Sequence, residues 1–348
     1  MHPDPDPAPA PVEGVTDRLG RGLADLRISV TDRCNFRCTY CMPRQVFGPD
    51  HAFLERSELL SFEEITRVVA AAAHHGVTKV RLTGGEPLLR RELHTLVAQI
   101  AAVDGVDDIA MTTNASLLAD AAGPLRDAGL TRVTVSLDAL DRATFAAMSD
   151  TKIPLQRVLD GIAAAQATGL PVKVNTVVRR GVNDDQVVGL AGWAREHGVT
   201  IRFIEYMDVG TTNGWRHAEV VASADVVAAV TAAWPASAVG GEATAVADRW
   251  RYDDGAGEFG VVSSVTEPFC STCVRARLSA VGELFTCLFA TRGHDLRAVL
   301  RGGADDAALR DALAGIWSAR TDRYSEERTR DATRVGDRDR VEMSYIGG

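Results

Sequence analysis

The chain has 348 residues, of which 46% are hydrophobic and 24% are charged. This balance permits a large buried core and argues against wholesale disorder. The formal net charge of −9 disfavours a broad nucleic-acid-binding surface. No apolar run approaches the ~18 residues of a membrane span, and the N-terminus lacks the features of a signal peptide. We therefore expect a cytoplasmic protein of about two domains that binds neither nucleic acid nor a membrane.

A segment rich in Pro and Asp comes first, and residues 1–16 are expected to form a disordered tail. Short runs rich in β-branched residues then alternate with amphipathic patterns. Strands are predicted at Leu26–Val30, Lys79–Leu82, Asp108–Thr112, Arg132–Ser136, Val172–Val177 and Thr200–Ile204. Helices are predicted at Phe62–His74, Arg91–Val103, Ser116–Ala128, Leu155–Thr168 and Asp185–Glu196. Ser61 and Glu64 form a capping box before the first helix, and Asn183 is expected to cap the last.

This alternation predicts an α/β fold with a mainly parallel sheet and right-handed crossovers. Six repeats suit an incomplete (β/α)6 TIM-like barrel over residues 17–215, with its chemistry at the carboxyl ends of the strands. A doubly wound open sheet is the competing architecture, but the first strand-to-helix turn lacks a G-x-G-x-x-G motif. Residues 216–348 are predicted to form a smaller C-terminal cluster-binding region, in which the charged stretch from Asp322 to Val341 is loosely structured.

Six cysteines fall into two triads, and their spacing indicates metal sites rather than disulfides. The triads are Cys34, Cys38 and Cys41, and Cys270, Cys273 and Cys287. The C-x-x-x-C-x-x-C loop of the first triad can wrap three thiolates around one cubane iron–sulfur cluster and leave one iron open to a small molecule. The second triad, which also lacks an adjacent histidine, favours the same arrangement. A zinc site is the alternative at both positions.

Two short motifs indicate ligands near these cysteines. Thr83–Pro87, with the sequence TGGEP, follows the second predicted strand, and its glycines allow the backbone to approach a ligand closely. Arg275 and Arg277 would share one face of an extended segment, where paired guanidiniums suit a phosphate; two solvated surface arginines are the alternative. Only three of the 38 basic residues are lysines, namely Lys79, Lys152 and Lys173.

The first cysteine loop, with Tyr40 before its third cysteine, resembles the signature of the radical S-adenosylmethionine (SAM) superfamily. From about Arg18 to Gly348 the sequence also resembles the GTP 3′,8-cyclases of molybdenum cofactor biosynthesis. The matching segments, in order, are LRISVTDRCNFRCTYCMP, VRLTGGEPLLRREL, TTNASLLA, VSLDALD, VKVNTVVRRGVND, IRFIEYM, FCSTCVRARLS and the terminal GG. Val274 departs from the family pattern, in which a polar residue follows the second cysteine of C-x-x-C, and this puts one local contact in doubt.

The resemblance implies an enzyme that converts GTP to 3′,8-cyclo-7,8-dihydro-GTP, the first step of molybdenum cofactor (molybdopterin) biosynthesis, with two 4Fe-4S clusters and SAM as cofactors. A 5′-deoxyadenosyl radical would abstract H3′ of GTP, and C3′ would then attack C8. An external electron donor is implied, as is a downstream cyclic pyranopterin monophosphate synthase that receives the product. The oligomeric state is left open, with a homodimer as one option.

The resemblance also implies roles for individual residues. One cluster is expected on Cys34, Cys38 and Cys41, and the other on Cys270, Cys273 and Cys287. SAM contacts are expected from Tyr40, Gly84, Gly85, Glu86, Ser136 and Met207. GTP contacts are expected from Arg27, Lys79, Arg81, Thr112, Lys173, Arg275 and Arg277. The first triad is expected to be catalytic together with Gly347 and Gly348, as a tail that reaches into the site; an ordinary frayed terminus is the alternative.

Two other functions compete with this one. Another radical SAM enzyme with an auxiliary cluster would not need the Arg275-x-Arg277 pair or the Gly-Gly end. A non-enzymatic zinc-binding module would be colourless and stable in air, whereas an iron–sulfur protein is brown and bleaches.

Overall fold

The computed structural model describes residues 14–240, 244–330 and 340–347. Most of the predicted disordered tail, and Gly348, therefore lie outside the described residues. No helix within these three ranges is long and apolar enough to cross a membrane.

The first six strands are those that the sequence predicts, with every end within one residue. They are β1 (Asp25–Ser29), β2 (Lys79–Thr83), β3 (Asp108–Thr113), β4 (Arg132–Ser136), β5 (Val172–Val178) and β6 (Thr200–Glu205). The predicted helices are confirmed within two residues as α1 (Phe62–His74), α2 (Leu93–Ala101), α3 (Leu118–Asp127), α5 (Leu155–Ala167) and α6 (Val187–Glu196). Both hydrogen bonds of the capping box between Ser61 and Glu64 are present.

Strands β1 to β6 pair in chain order, all parallel. The later strands are β7 (Ala236–Val239), β8 (Asp248–Tyr252), β9 (Glu258–Val262), β10 (Arg275–Leu278), β11 (Glu283–Phe285) and β12 (His294–Asp295). Strand β10 pairs parallel with β1, and β9 pairs parallel with β6. The C-terminal strands thus extend the sheet on both sides, and β12 and β7 form its edges. The domain boundary at residue 215 stays a prediction.

Side-chain alternation separates the core from the interior cavity. In β5, Val174, Thr176 and Val178 are buried in the core, whereas Lys173, Asn175 and Val177 line the cavity. Such alternation is expected when helices cover one face of a curved parallel sheet and the other face encloses a space. The remaining helices are α4 (Arg142–Ser149), α7 (Ser223–Ala233), α8 (Leu296–Arg301), α9 (Asp306–Ser318), α10 (Tyr324–Arg330) and α11 (Met343–Ile346).

Two expectations about local structure were wrong. Asn183 makes no capping bond; its amide instead donates to the carbonyls of Asp138 at 2.9 Å and Val177 at 2.8 Å, because buried carbonyls need donors. The stretch expected to be loose contains α10 and a buried ion pair between Arg328 and Asp208. Residues 331–339 of that stretch lie outside the described part of the chain.

Two mid-helix glycines should respond oppositely to alanine. A Cβ at Gly161 in α5 would overlap the carbonyl oxygen of Ala115, whereas a Cβ at Gly315 in α9 meets nothing within 4 Å. We expect Gly161→Ala to lower the free energy of unfolding by about 1–3 kcal/mol through overpacking and Gly315→Ala to raise it by roughly 0.5–1 kcal/mol through helix propensity. Urea denaturation checks both; a loss of the same size in each variant would contradict this packing.

Candidate active site

The first cysteine loop follows β1 and is fixed mainly by hydrogen bonds to its own backbone. Arg37 donates to the carbonyl oxygens of Cys34 at 2.7 Å, Phe36 at 2.8 Å and Phe47 at 2.7 Å. The Arg37 amide also donates to the carbonyl of Ser149 at the end of α4. This short helix, which the sequence analysis missed, therefore supports the loop from outside.

The glycine turn after β2 packs directly on the cysteine loop. A Cβ at Gly84 would overlap the Thr31 carbonyl oxygen, and one at Gly85 would overlap the Arg33 carbonyl oxygen. Glycines are thus required here because the backbone of the turn lies too close to the backbone of the cysteine loop for side chains to fit, whether or not a ligand also binds there. Glu86 accepts hydrogen bonds from the Thr113 hydroxyl at 2.7 Å and the Asn114 amide at 2.8 Å, and its burial raises the pKa of its carboxyl group to about 7.

Asn114 and Asp138 are site residues that the sequence analysis missed. The Asn114 side-chain amide lies 4.0 Å from the sulfur of Cys34. Asp138 accepts a hydrogen bond from the hydroxyl of Tyr40 at 2.8 Å and one from the amide of Val177 at 2.9 Å. Tyr40, next to the third cysteine, is thereby tied to the carboxyl ends of β4 and β5.

The second cysteine triad lies beside the strand that joins the sheet at β1. Cys270 begins a 3₁₀ turn, and Cys273 precedes β10 by two residues. Burial alone would raise the pKa of the Cys273 thiol, but the guanidiniums of Arg275 and Arg320 lower it to about 7. Burial raises the pKa of Cys287 to about 12. The Val274 carbonyl accepts from the Ala24 amide at 3.0 Å, a contact for which its side chain is irrelevant.

The donor chemistry of both triads fits iron–sulfur clusters. All six cysteines are free thiols, partly exposed to one cavity of about 1020 Å³. Within the described ranges no three His, Cys, Asp or Glu side chains are grouped to hold a single metal ion. A cubane needs no such convergence, because each thiolate binds a different iron.

Strand register places three guanidiniums in one row. Arg277 of β10 is the register partner of Arg27 of β1, which in turn is the partner of Arg81 of β2. All three side chains line the cavity. Arg81 also donates to the hydroxyls of Thr112 and Thr134, each at 3.2 Å. Arg275 and Arg277 were expected to share one face of an extended segment, and both side chains do line the cavity.

The cavity is cationic although the chain is acidic. Ten arginines and lysines line it, against six aspartates and glutamates. Four of these cations were missed by the sequence analysis, namely Arg132, Arg202, Arg249 and Arg320. Arg202 occupies the same alternate-residue face as the other lining side chains, and this pattern could have revealed it. Burial and neighbouring arginines lower the pKa of Arg202 to about 10 and that of Lys173 to about 8.

The C-terminal segment reaches the edge of the cavity. Arg277 donates a hydrogen bond to the carbonyl of Gly347, which is buried. Glu342 accepts hydrogen bonds from the Thr211 amide at 2.9 Å and the Thr212 hydroxyl at 2.9 Å, and Tyr345 donates to Glu283 at 2.7 Å. These contacts seat the segment on the loop after β6 and on β11.

The cavity brings together the residues singled out from the sequence, apart from the two terminal glycines. Its lining includes both cysteine triads, Tyr40, Gly84, Gly85, Glu86, Ser136, Met207, Arg27, Lys79, Arg81, Thr112, Lys173, Arg275 and Arg277. Gly347 contacts one of these residues, and Gly348 lies outside the described residues. Their individual roles stay predictions.

Comparison with known proteins identifies the families of both halves. Residues 28–194 match the Radical SAM superfamily, and residues 199–326 match Molybdenum Cofactor Synthesis C. The structure of Streptococcus suis SuiB bound to S-adenosylmethionine is similar with a TM-score of 0.61 at 15% identity, covering 86% of this chain and 68% of that chain. This likeness concerns the fold alone, and it supports the predicted incomplete barrel.

Two curated relatives are similar along their whole length. The GTP 3′,8-cyclase of Staphylococcus haemolyticus is 45% identical over 342 residues, covering 97% of this chain and 100% of the relative. The GTP 3′,8-cyclase of Acidothermus cellulolyticus is 57% identical over 362 residues, covering 96% of this chain and 99% of the relative. The chain therefore belongs to the GTP 3′,8-cyclase family.

Proposed function

We propose that this protein is a radical SAM GTP 3′,8-cyclase that makes 3′,8-cyclo-7,8-dihydro-GTP for molybdenum cofactor biosynthesis. One observation carries the proposal: a single cavity of about 1020 Å³ is lined by both cysteine triads and by the row of guanidiniums. A nucleotide triphosphate can reach the cation row and both triads only if all three share one space. The family membership supports the same reaction.

On the SAM side, the residues orient the cofactor and close the site. The first triad would hold a 4Fe-4S cluster with SAM, which would supply the 5′-deoxyadenosyl radical for removal of H3′ of GTP. Cys34, Cys38 and Cys41 would hold this cluster through three of its irons and leave the fourth for SAM, and the glycine turn beside the loop would offer backbone groups to the methionyl part of SAM. Tyr40 is held in place by Asp138.

On the substrate side, cations bind and orient GTP. The row of Arg27, Arg81 and Arg277 would hold the triphosphate through charge-assisted hydrogen bonds, while the second triad would hold a cluster for the guanine. Fixing both ends of GTP places C3′ and C8 in one geometry, which is the main contribution a protein can make to such a cyclisation.

The chemistry also requires partners. Cleavage of SAM consumes one electron, and the radical that remains after C3′ adds to C8 needs one further electron and a proton to become 3′,8-cyclo-7,8-dihydro-GTP. An external donor must supply these electrons, and the product would pass to a cyclic pyranopterin monophosphate synthase. Six free thiols that must stay reduced favour the cytoplasm. A homodimer is one option for the oligomeric state.

Anaerobic incubation of iron-loaded protein with SAM, a strong reductant and GTP tests the proposal. We expect 5′-deoxyadenosine and a cyclised guanine nucleotide by mass spectrometry, and neither when GTP is omitted. Formation of 5′-deoxyadenosine with unchanged GTP would support another radical SAM enzyme. A colourless, air-stable protein that contains zinc would support the metal-binding module.

The pH dependence of GTP binding should report on Lys173. Its pKa is lowered to about 8 by burial and by Arg202, Arg132, Arg249 and Arg81, so it is charged below pH 8 and neutral above. We expect the Kd for GTP to increase between pH 7 and pH 9, measured anaerobically by calorimetry.

Lys173→Met should weaken binding at pH 7 by about tenfold, or ~1.4 kcal/mol, and should flatten this pH dependence. Lys79→Met removes a cation from the same cavity and serves as the matched variant, because it should weaken binding but retain the dependence. An unchanged pH profile in Lys173→Met would contradict the assignment.

The glycine pair Gly347-Gly348 should be essential in its present form. Gly347 has a φ of +73°, and a Cβ there would overlap the side chain of Thr83, so this position has no room for a side chain. Residues added after Gly348 should abolish activity while both clusters remain, as measured by iron content and cyclised product. The same tag before Met1 should be tolerated; an active C-terminally tagged protein would refute the idea.

A further inference from the structure

A buried ion network lies beside the second cysteine triad, and the family resemblance gives no role to any of its charged side chains. Asp17 is its central anion: its carboxylate accepts from Arg21 Nε at 2.6 Å and from Arg320 Nη1 at 3.3 Å. The three side chains are at most 3% exposed. Charges this deeply buried are costly unless they are paired and hydrogen-bonded.

Both arginines of the network bind the backbone of cysteine ligands. Arg21 Nη1 donates to the carbonyl oxygen of Cys270 at 2.7 Å. Arg320 Nη1 donates to the carbonyl oxygen of Cys273 at 2.8 Å. The two ends of the C-x-x-C turn are therefore held by two guanidiniums that share one carboxylate.

The third cysteine is reached through Asp322. The carboxylate of Asp322 lies 3.5 Å from Arg320 Nε. It also accepts a hydrogen bond at 2.6 Å from the hydroxyl of Thr286, the residue before Cys287. Its backbone carbonyl accepts from Arg21 Nη1 at 2.9 Å. One network thus contacts the backbone or an immediate neighbour of every cysteine in the second triad.

Other contacts fix the arginines themselves. Arg320 stacks over the ring of Trp317 with 4.5 Å between its guanidinium carbon and the ring centroid. The indole of Trp317 donates to the carbonyl of Arg21 at 3.0 Å. These contacts join the segment that precedes β1 to the end of α9. The charged side chains therefore cannot move away from the cysteines without disrupting the core.

We propose that Asp17, Arg21 and Arg320 are positioning residues for the second cluster, which hold its cysteine segments and set its reduction potential. The proposal rests on the second triad holding a cluster, as in the proposed function. Reduction adds negative charge to a cluster, so a nearby cation favours the reduced form and a nearby anion disfavours it. Opposite charges in one network should therefore act in opposite directions.

The test is an anaerobic redox titration of the full-length, iron-loaded protein, followed by electron paramagnetic resonance without GTP. A variant with Cys34, Cys38 and Cys41 replaced by alanine assigns the signal of the second cluster. We expect Arg320→Gln to shift its potential downward, Asp17→Asn to shift it upward, and Arg320→Lys to stay close to the wild type. The first cluster should not shift in any of them.

Arg67→Gln is the control, because Arg67 pairs with Asp306 at the surface and its loss should leave both potentials unchanged. Shifts of the same sign in Arg320→Gln and Asp17→Asn, or no shift, would overturn the proposal. If these variants do not load the second cluster, the iron content of the protein is the readout instead. A fall from about eight to about four iron atoms per chain supports the positioning role, provided that Arg320→Lys still loads both clusters. Loss of both clusters together, or equal loss in Arg320→Lys, refutes it.

The iron and potential readouts need no substrate. A protein that shows these shifts but does not convert GTP would therefore contradict the cyclase assignment alone, and one that converts GTP without the shifts would contradict only the role of this network.

Discussion

In a parallel sheet, residues that are register partners on neighbouring strands point to the same face of the sheet. Along each strand, alternate residues also point to the same face. The candidate site depends on this constraint. Arg27, Arg81 and Arg277 belong to three different strands that are far apart in sequence, yet they form one row because β10, β1 and β2 pair in parallel. The C-terminal strand that carries Arg277 also brings the second cysteine triad to the sheet. The pairing of β10 with β1 thus places both Arg277 and the second triad beside the other two arginines.

The cost of this arrangement is electrostatic. Burial lowers the pKa of Arg81 to about 9, since a charged guanidinium loses water there and faces other cations. Ten basic residues around one cavity, against six acidic ones, leave an excess of mutually repelling positive charges there, although the chain has a net charge of −9. A bound polyanion would relieve that repulsion, so the same charges that weaken the fold favour a triphosphate. The hydroxyls of Thr112 and Thr134 offset part of the cost by accepting from Arg81.

Much of the fold could be predicted because its signal is local: hydrophobic periodicity located six strands and five helices, and cysteine spacing located both triads. The missed features depend on distant partners. Asn183 has the sequence of a cap, but buried carbonyls of Asp138 and Val177 compete for its amide. Helix α10 has a highly charged sequence, and Arg328 packs inward because it pairs with the buried Asp208 and donates to the carbonyl of Ser264. The network around Asp17 joins residues about 300 positions apart, which no local pattern in one sequence can reveal.

The central claim is that one cavity holds the radical source and the ribose of GTP side by side. Anaerobic turnover with GTP deuterated at C3′ tests it most directly, by mass spectrometry of the 5′-deoxyadenosine formed. The account predicts that one deuterium appears in 5′-deoxyadenosine and that the cyclised nucleotide has lost it. If 5′-deoxyadenosine forms without deuterium while GTP is present, the ribose does not lie next to the first triad and the account is contradicted.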